Sequence, residues 1–293
     1  VAGLGSVDLQ NDVGTAVGVG NALTQLTVSG ADINLHDVKT TGIQTYTASG
    51  TITTNSAYVS AGSDITFAGD TVLNDATTVD TTNGGAVGAG ANVAFNGTLN
   101  SQATEYNTLG ITAGTAGDIT FGGIVGGAGA TQTLGAVTIN SADNVTATTF
   151  TAASLTQVDG SGTTTLNGAV NTNAALGVNI VNEAIAVNNS ITTTGGGIVT
   201  LNADTALSTG LVIAGAGDIV ADGAVNLTGA AGITTAGNVT TTADAVTYNS
   251  ATTLTGPVTI DTGSGTVTFA STLTGPYNLT IGSTGDTNAS TFQ

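Results

Sequence analysis

Triplets of apolar, polar and apolar residues return about every 20 residues along the C-terminal third of this chain. Three sets of triplets interleave: first Val199/Leu201, Ile219/Ala221, Val239/Thr241, Val258/Ile260 and Leu279/Ile281; second Ile213, Ile233, Leu254 and Leu273; third Val225/Leu227, Val246/Tyr248 and Val267/Phe269. Three strand signals per period are typical of a chain wound as a parallel β-helix, with one strand on each side of every coil. The sequence therefore predicts an all-β parallel β-helix solenoid with about 20 residues per three-strand coil.

Composition supports an ordered chain without helices. Hydrophobic residues make up 40% of the 293 residues, and only two prolines interrupt the backbone. Disordered chains of similar polarity lack regularly spaced Val, Ile and Leu. Because no window shows apolar residues at helical spacing, we expect almost no helix.

The pattern predicts a single solenoid over residues 1–293. Residues 1–50 are the least regular part of it, and the glycine-rich segments 82–92 and 122–135 are predicted loop excursions. Residues 63–69 closely match residues 117–123, which indicates a second-order repeat.

The charge balance excludes several classes of partner. The formal net charge is −18, from 19 acidic residues against one basic residue, Lys39. Nucleic acids and anionic membrane surfaces both require clustered Lys and Arg, so neither is an expected partner. No apolar run approaches the roughly 18 residues of a membrane span, so we expect no membrane insertion.

The absence of Cys and Met fits a protein that works outside the cell, because these residues are the main targets of oxidation. No signal peptide is visible and the chain starts at Val1, so we expect a processed chain or a piece of a longer one. The predicted location is extracellular or on the cell surface.

Several segments resemble the repeat units of a known family of proteins. They are Gly42–Thr47, Ala57–Val59, Asp64–Phe67, Thr77–Asp80, Asn92–Gly97, Asp118–Gly127 and Leu134–Ile139. These segments are similar to the repeats of filamentous-haemagglutinin-like bacterial surface exoproteins and of the β-strand-repeat adhesins. The resemblance implies a right-handed parallel β-helix that is secreted to the cell surface or the extracellular matrix.

Acidic residues beside the predicted strands are candidate metal ligands. Carboxylates stacked about 5 Å apart on successive coils would repel each other, and calcium with its oxygen ligands could bridge them. The alternative is that they are solvated turn residues that keep the protein soluble. The candidates are Asp64, Asp118 and Asp218, which precede strands, and Asp222, Asp244 and Asp261, which follow them.

An enzyme is not predicted. Polysaccharide lyases and pectin hydrolases of the β-helix type need basic residues beside their carboxylates, and this chain has one Lys, one His and no Arg. His36, Asp37 and Lys39 form the only cluster with three ionisable types, which is more typical of a surface pair than of a catalytic dyad.

Two further patterns carry weaker hypotheses. Pairs such as Thr45/Thr47 and Thr240/Thr242 would form a flat hydroxyl array if they shared one phase, although β-branched residues also simply suit a pleated face. Exposed tyrosines among Tyr46, Tyr58, Tyr106 and Tyr277 would offer rings for stacking on sugars.

The predicted function is therefore non-catalytic and either structural or adhesive: a rod-like repeat unit of a bacterial surface fibre or of a giant adhesin. Open strand edges predict self-association end to end, or further repeats of the same chain. The alternative is a calcium-dependent surface-layer or glycan-binding module that recognises a glycan or a cell-surface partner through a side face or through loops such as 82–92. No cofactor other than calcium is expected.

Overall fold

The protein is all-β. A computed structural model describes residues 5–14, 23–127, 129, 131–206, 208–282 and 291–292, and within them no helix occurs. The chain forms two compact units, residues 1–152 and 153–293, which are treated separately below. No helix in these described ranges is long and apolar enough to cross a bilayer.

The strands of the first unit are short. They are β1 (Val7–Asp8), β2 (Leu26–Gly30), β3 (Ile33–Leu35), β4 (Val38–Lys39), β5 (Gln44–Thr54), β6 (Ala57–Val59), β7 (Ile65–Leu73), β8 (Thr77–Asp80), β9 (Val93–Phe95), β10 (Leu99–Ser101), β11 (Leu109–Thr112), β12 (Ile119–Phe121), β13 (Leu134–Ser141) and β14 (Val145–Ala147), followed by β15 (Phe150–Gln157), which ends in the second unit.

The second unit continues the same pattern. Its strands are β16 (Thr163–Leu166), β17 (Val170–Thr172), β18 (Val178–Asn182), β19 (Ala184–Val187), β20 (Ile191–Thr193), β21 (Val199–Ala203), β22 (Leu211–Ile213), β23 (Ile219–Ala221), β24 (Val225–Gly229), β25 (Ile233–Thr235), β26 (Val239–Thr241), β27 (Val246–Tyr248), β28 (Thr252–Leu254), β29 (Val258–Asp261), β30 (Val267–Phe269), β31 (Leu273–Thr274), β32 (Leu279–Gly282) and β33 (Thr291–Phe292).

Pairing in the second unit follows a rule of three. From β16 onwards, each strand pairs in parallel with the third strand after it, as β18 does with β21, β21 with β24 and β24 with β27. The other two columns run from β16 to β31 and from β17 to β32 in the same way. A strand that always meets its counterpart one coil later is the defining pairing of a parallel β-helix, which confirms the predicted fold class.

The first unit has the same three columns. One contains β2, β9, β12, β14 and the first halves of β5 and β7; another contains β1, β3, β10 and the second halves of β5 and β7. The third contains β4, β6, β8, β11 and β13. The right-handed winding and the continuity of the two units as a single solenoid stay predictions.

Alternation along each strand creates the core. Strands such as β9, β12, β20 and β27 are three residues long, with the first and third side chains buried and the middle one directed outward. This is the period-two pattern that the sequence predicted. The buried positions are filled by Val, Ile, Leu and Phe, with Thr and Ala in several coils.

Two of the predicted alignments were right and others were wrong. Val239 pairs with Ile260 and not with Val258, and Ile213 pairs with Thr235 and not with Ile233, although these strands do share their predicted columns. The Val199/Leu201 triplet pairs with Val225/Leu227, not with Ile219/Ala221, because an extra segment at 204–210 lengthens this coil and shifts the phase. The third set is confirmed, since Val225, Val246 and Val267 are direct neighbours in one column. The matched segments 63–69 and 117–123 also share a column, with β9 between them.

Aromatic rings stack along the axis of the first unit. The centroid distances are 5.3 Å from Tyr46 to Phe67, 4.8 Å from Phe67 to Phe95 and 5.9 Å from Phe95 to Phe121, and all four rings are buried. Offset stacking of this kind adds about 0.5–1.5 kcal/mol per pair beyond the area buried. Several of the few aromatic residues are therefore concentrated at core positions where the register places one ring next to another in the following coil.

Two buried tyrosines differ in how their hydroxyls are satisfied. The Tyr46 hydroxyl donates to Gln44 Oε1 at 2.8 Å, and Gln44 Nε2 donates to the Val59 carbonyl at 2.8 Å. The Tyr248 hydroxyl, stacked with its ring on Phe269 at 4.6 Å, has no hydrogen-bond partner within the described residues. A buried hydroxyl without a partner loses its hydration with no compensation.

These two environments predict opposite effects of the same substitution. Tyr248→Phe should leave stability unchanged or raise it by about 1 kcal/mol, because it removes an unpaired buried hydroxyl and keeps the ring. Tyr46→Phe should lower stability by about 1–2 kcal/mol, because it leaves Gln44 Oε1 without its donor. Urea unfolding of both variants measures the difference, and a larger loss for Tyr248→Phe would contradict the assignment.

Candidate functional site

Several turn aspartates in this structure bind the backbone of the neighbouring coil. The Oδ1 atoms of Asp32, Asp37 and Asp70 accept hydrogen bonds from the backbone N–H groups of Thr51, Ala57 and Thr98 at 3.0, 2.9 and 2.8 Å. Each donor lies one coil further along the chain. We call such a contact an inter-coil staple: an Asp or Asn side chain that accepts the N–H of the equivalent turn in the next coil.

Two of the predicted metal ligands are members of one series of staples. Asp64 Oδ1 accepts the N–H of Asn92 at 3.0 Å, Asn92 Oδ1 accepts the N–H of Asp118 at 2.9 Å, and Asp118 Oδ1 accepts the N–H of Asn144 at 3.1 Å. Asp and Asn therefore alternate along this edge. The two carboxylates are not direct neighbours, because the Asn92 amide lies in the coil between them.

The other four candidates lie in the second unit. Asp218 Oδ1 staples Asn238 at 2.8 Å, and Asn238 Oδ1 staples Thr259 at 2.8 Å. Asp222 accepts the Gly196 N–H at 2.8 Å and the Thr242 hydroxyl at 2.9 Å, and Asp261 accepts the N–H of Gly263 at 3.1 Å. The side chain of Asp244 forms no hydrogen bond to any described residue.

No metal cluster forms from these side chains. Among the residues that the structure describes, no three His, Asp or Glu side chains are grouped so that they could hold a metal ion. Calcium binding stays a prediction; one carboxylate oxygen each of Asp64, Asp118 and Asp218, and both oxygens of Asp222, accept hydrogen bonds within the fold.

The cluster at 36–39 is also built into the fold. His36 and Asp37 are half-buried and Lys39 is exposed. Asp37 staples Ala57, and the Lys39 N–H donates to the Val13 carbonyl at 2.8 Å. The carboxylate beside the only histidine is thus a backbone acceptor.

The threonine pairs do not build a continuous hydroxyl array. Thr45 and Thr66 are neighbours at one outward position, but Ala94 follows Thr66 in the next coil. At the other outward position Thr47 is followed by Ala68. The outward threonines form short runs that suit a pleated face.

The predicted loop at 82–92 is anchored but carries little polar chemistry. Asp80 Oδ1 accepts the N–H of Thr82 at 2.6 Å, and Asp80 Oδ2 accepts that of Gly84 at 2.7 Å. Gly84 has a φ of 68°, which a side chain would strain. Apart from Asn92, whose Oδ1 accepts the Asp118 N–H, the exposed residues of the loop are Gly and Ala, so it offers few groups for recognising a ligand.

Exposed tyrosines occur at two of the four predicted positions. Tyr46 and Tyr58 are buried, and burial raises the pKa of both phenols well above their ordinary value. Tyr106 and Tyr277 expose 47% and 46% of their surface. Only these two, among the four, present a ring to solvent.

Tyr106 lies in a strained turn that sequence reasoning missed. Residues 102–108 connect β10 to β11, and within them Thr104 and Tyr106 have φ values of 70° and 55°. The left-handed region is a genuine outlier for a β-branched residue such as Thr104. A usable signal was present: this segment breaks the alternation and places a tyrosine beside Glu105, one of only two glutamates in the chain.

Hydrogen bonds hold this turn from three directions. Asn107 N donates to Ser101 Oγ at 2.7 Å, and Asn107 Nδ2 donates to the Leu73 carbonyl at 3.0 Å. The Thr104 N–H donates to the Thr131 carbonyl at 2.7 Å. The turn is therefore fixed against the coil before it and the coil after it.

No protein-family model, no curated protein and no solved structure matches this chain.

Two substitutions at Asp118 distinguish the contribution of its hydrogen-bond acceptor from the contribution of its negative charge. Asp118→Asn should change stability by only a few tenths of a kcal/mol, because an amide oxygen can accept the Asn144 N–H as Asn92 accepts that of Asp118. Asp118→Ala should cost about 1–2 kcal/mol through the lost acceptor. Equal losses in both variants, measured by urea unfolding, would instead point to a role for the charge.

Asp222 predicts a pH-dependent contribution to stability. The hydrogen bonds from Gly196 and then Thr242 lower the pKa of its carboxyl group below its ordinary value. The carboxylate therefore stabilises the fold above about pH 4, and this contribution is lost as pH falls through the lowered folded pKa.

The measurement compares Asp222→Asn with the wild type in urea unfolding between about pH 6 and pH 2. The stability difference should be constant above about pH 4 and shrink below it. Asp244→Asn is the matched control, since that side chain accepts no hydrogen bond from the described residues. A difference that grows in acid would reverse the sign and reject the assignment.

Proposed function

We propose that this chain is a non-catalytic extracellular structural or adhesive protein, a rod-like repeat unit of a bacterial surface fibre or of a giant adhesin. The observation that most supports this proposal is that many of the polar side chains form hydrogen bonds to the backbone of a neighbouring coil. Aspartates and asparagines that could have formed a catalytic or metal site are engaged as inter-coil staples at successive turns. A molecule whose side chains mainly join coil to coil suits a role that depends on extension and stability.

Composition supports an extracellular location. A chain without Cys and Met resists oxidation, and a net charge of −18 keeps an extended surface soluble and disfavours contact with nucleic acid. The resemblance to surface exoprotein repeats points in the same direction.

An open edge supports self-association. Among the described residues, β32 pairs on one side only, with β29. Its inward side chains Leu279 and Ile281 are half-buried, whereas Val258 and Ile260 one coil earlier are buried. A further parallel strand, from a second copy or from more repeats of the same chain, would cover them and satisfy the free backbone groups.

The alternative is a surface-layer or glycan-binding module. The exposed ring of Tyr106 on a fixed turn favours glycan contact over a purely structural role. The described residues of one chain bring no three acidic side chains together, so a calcium site would have to be completed by backbone carbonyl or amide oxygens or by ligands from a second chain.

Electron microscopy of the purified chain in negative stain tests the proposal. A self-assembling subunit should form filaments of uniform width, and a stalk module should appear as isolated rods. Compact globular particles, or turnover of acidic polysaccharides in an activity screen, would contradict both forms of the proposal.

A matched pair of variants tests the edge itself. Ile281→Asp places a charge on the inward side of β32 and should abolish filaments, because a buried unpaired carboxylate is costly. Thr280→Asp places the same charge on the exposed side of the same strand and should leave the filaments intact. Filaments that persist in the Ile281→Asp variant would assign assembly to another surface.

A further inference from the structure

We infer that the turn at residues 102–108 is a contact site for neutral sugars, with the ring of Tyr106 as its stacking surface. This inference rests on the adhesive form of the proposed function and assigns it a place and a class of ligand. Four observations on the turn carry it: strain, fixation, the exposed ring and the surrounding charge.

Strain is the first observation. Non-glycine residues with positive φ within the described residues are Asn83, Thr104 and Tyr106, and two of the three lie in this one turn. Asparagine tolerates the left-handed region, whereas a β-branched threonine does so at a cost of order 1–3 kcal/mol. A turn that served only to connect two strands would be expected to have glycine at these positions, as many other turns of this chain do.

Fixation is the second observation. Asn107 Nδ2 donates to the Leu73 carbonyl at 3.0 Å, and the backbone carbonyl of Asn107 accepts the N–H of Gly135 at 2.9 Å. With the Thr104 contact to Thr131, the turn is tied to both neighbouring coils. A turn fixed by a rigid scaffold presents its side chains with little loss of conformational entropy on binding.

The third observation is the exposed ring and its neighbours. Tyr106 is 47% exposed on a turn whose other exposed side chains include Gln102, Thr104 and Glu105. The C–H face of a sugar is apolar and slightly positive, so it packs against the negative face of an aromatic ring. Amide, hydroxyl and carboxylate groups on the same turn can accept or donate the hydrogen bonds that sugar hydroxyls require.

Charge selects the class of sugar. Glu105 directly precedes Tyr106 in the chain; it is exposed, and its Oε2 accepts a hydrogen bond from Asn107 Nδ2 at 3.2 Å. The whole chain has a net charge of −18 and its only basic residue is Lys39. Uronates and sialylated sugars would be repelled, so the site favours neutral hexose oligomers.

The test measures binding of four soluble probes to the full chain. Maltohexaose, mannohexaose and hexa-N-acetylchitohexaose are the neutral probes, and hexagalacturonate is the charged one. Saturation-transfer NMR detects contact, and isothermal titration gives the dissociation constant. We expect at least one neutral probe to bind with millimolar affinity or better, and hexagalacturonate to bind at least tenfold more weakly.

Three variants locate the site. Tyr106→Asn removes the ring but keeps a residue that accepts positive φ, and it should weaken binding at least tenfold. Tyr106→Phe keeps the ring and should bind within about threefold of the wild type. Tyr277→Asn is the matched control, since Tyr277 is equally exposed, and it should bind as the wild type does.

Three results would overturn the inference: no neutral probe binds, Tyr106→Asn binds as well as the wild type, or Tyr277→Asn accounts for the loss. Circular dichroism of each variant establishes that the β-structure is retained. Filaments or rods in the microscope together with absent sugar binding would reject this site and leave the structural role standing. Globular particles would reject the proposed function itself.

Discussion

The structure depends on one constraint: successive coils are hydrogen-bonded in parallel and in register. Each side chain therefore lies directly above its counterpart one coil earlier, as Val225 lies beside Val246 and Val246 beside Val267. Stacking favours pairs that attract and penalises pairs that repel. The composition of every column follows from this, because each position must be compatible with its neighbours in both directions.

The constraint explains how the chain places its acidic residues. Like charges stacked in one column repel, and the edge that runs from Asp64 to Asn144 avoids this by alternating carboxylate and amide. Of the 19 acidic residues, 17 are aspartates, whose short side chains reach a nearby backbone N–H in turns more readily than glutamates do. An acidic chain can thus remain soluble while its carboxylates contribute to the fold.

Register also explains what the sequence could and could not predict. Alternation and the return of triplets predicted the strands and the column of Val225, Val246 and Val267, because both signals arise from local side-chain direction. The alignment of Val199 failed because residues 204–210 lengthen one coil and leave the triplet pattern unchanged. Periodicity contains no information about which coil has been lengthened.

The candidate site was harder to predict for a related reason. The partners of Asp64 and Asp118 lie one coil away, across lengthened coils, so the staples become visible only when the register is known. The turn around Tyr106 is defined by the positive φ angles of Thr104 and Tyr106, and neither residue type by itself predicts a positive φ. The break in alternation marks this segment as irregular but does not give its conformation. In contrast, the scarcity of basic residues was sufficient to predict a non-catalytic protein, a prediction that still awaits an activity measurement.

The most direct test of register is a distance between spin labels within one column. The chain has no cysteine, so Thr27→Cys with Thr146→Cys labels the two ends of an outward column in the first unit, five coil steps apart. At about 4.8 Å per step the backbone separation should be about 24 Å, and Thr156→Cys with Thr268→Cys should give the same value in the second unit. Narrow distributions of electron–electron distance near that value would support the account. Broad distributions, or distances far from it in either unit, would contradict it.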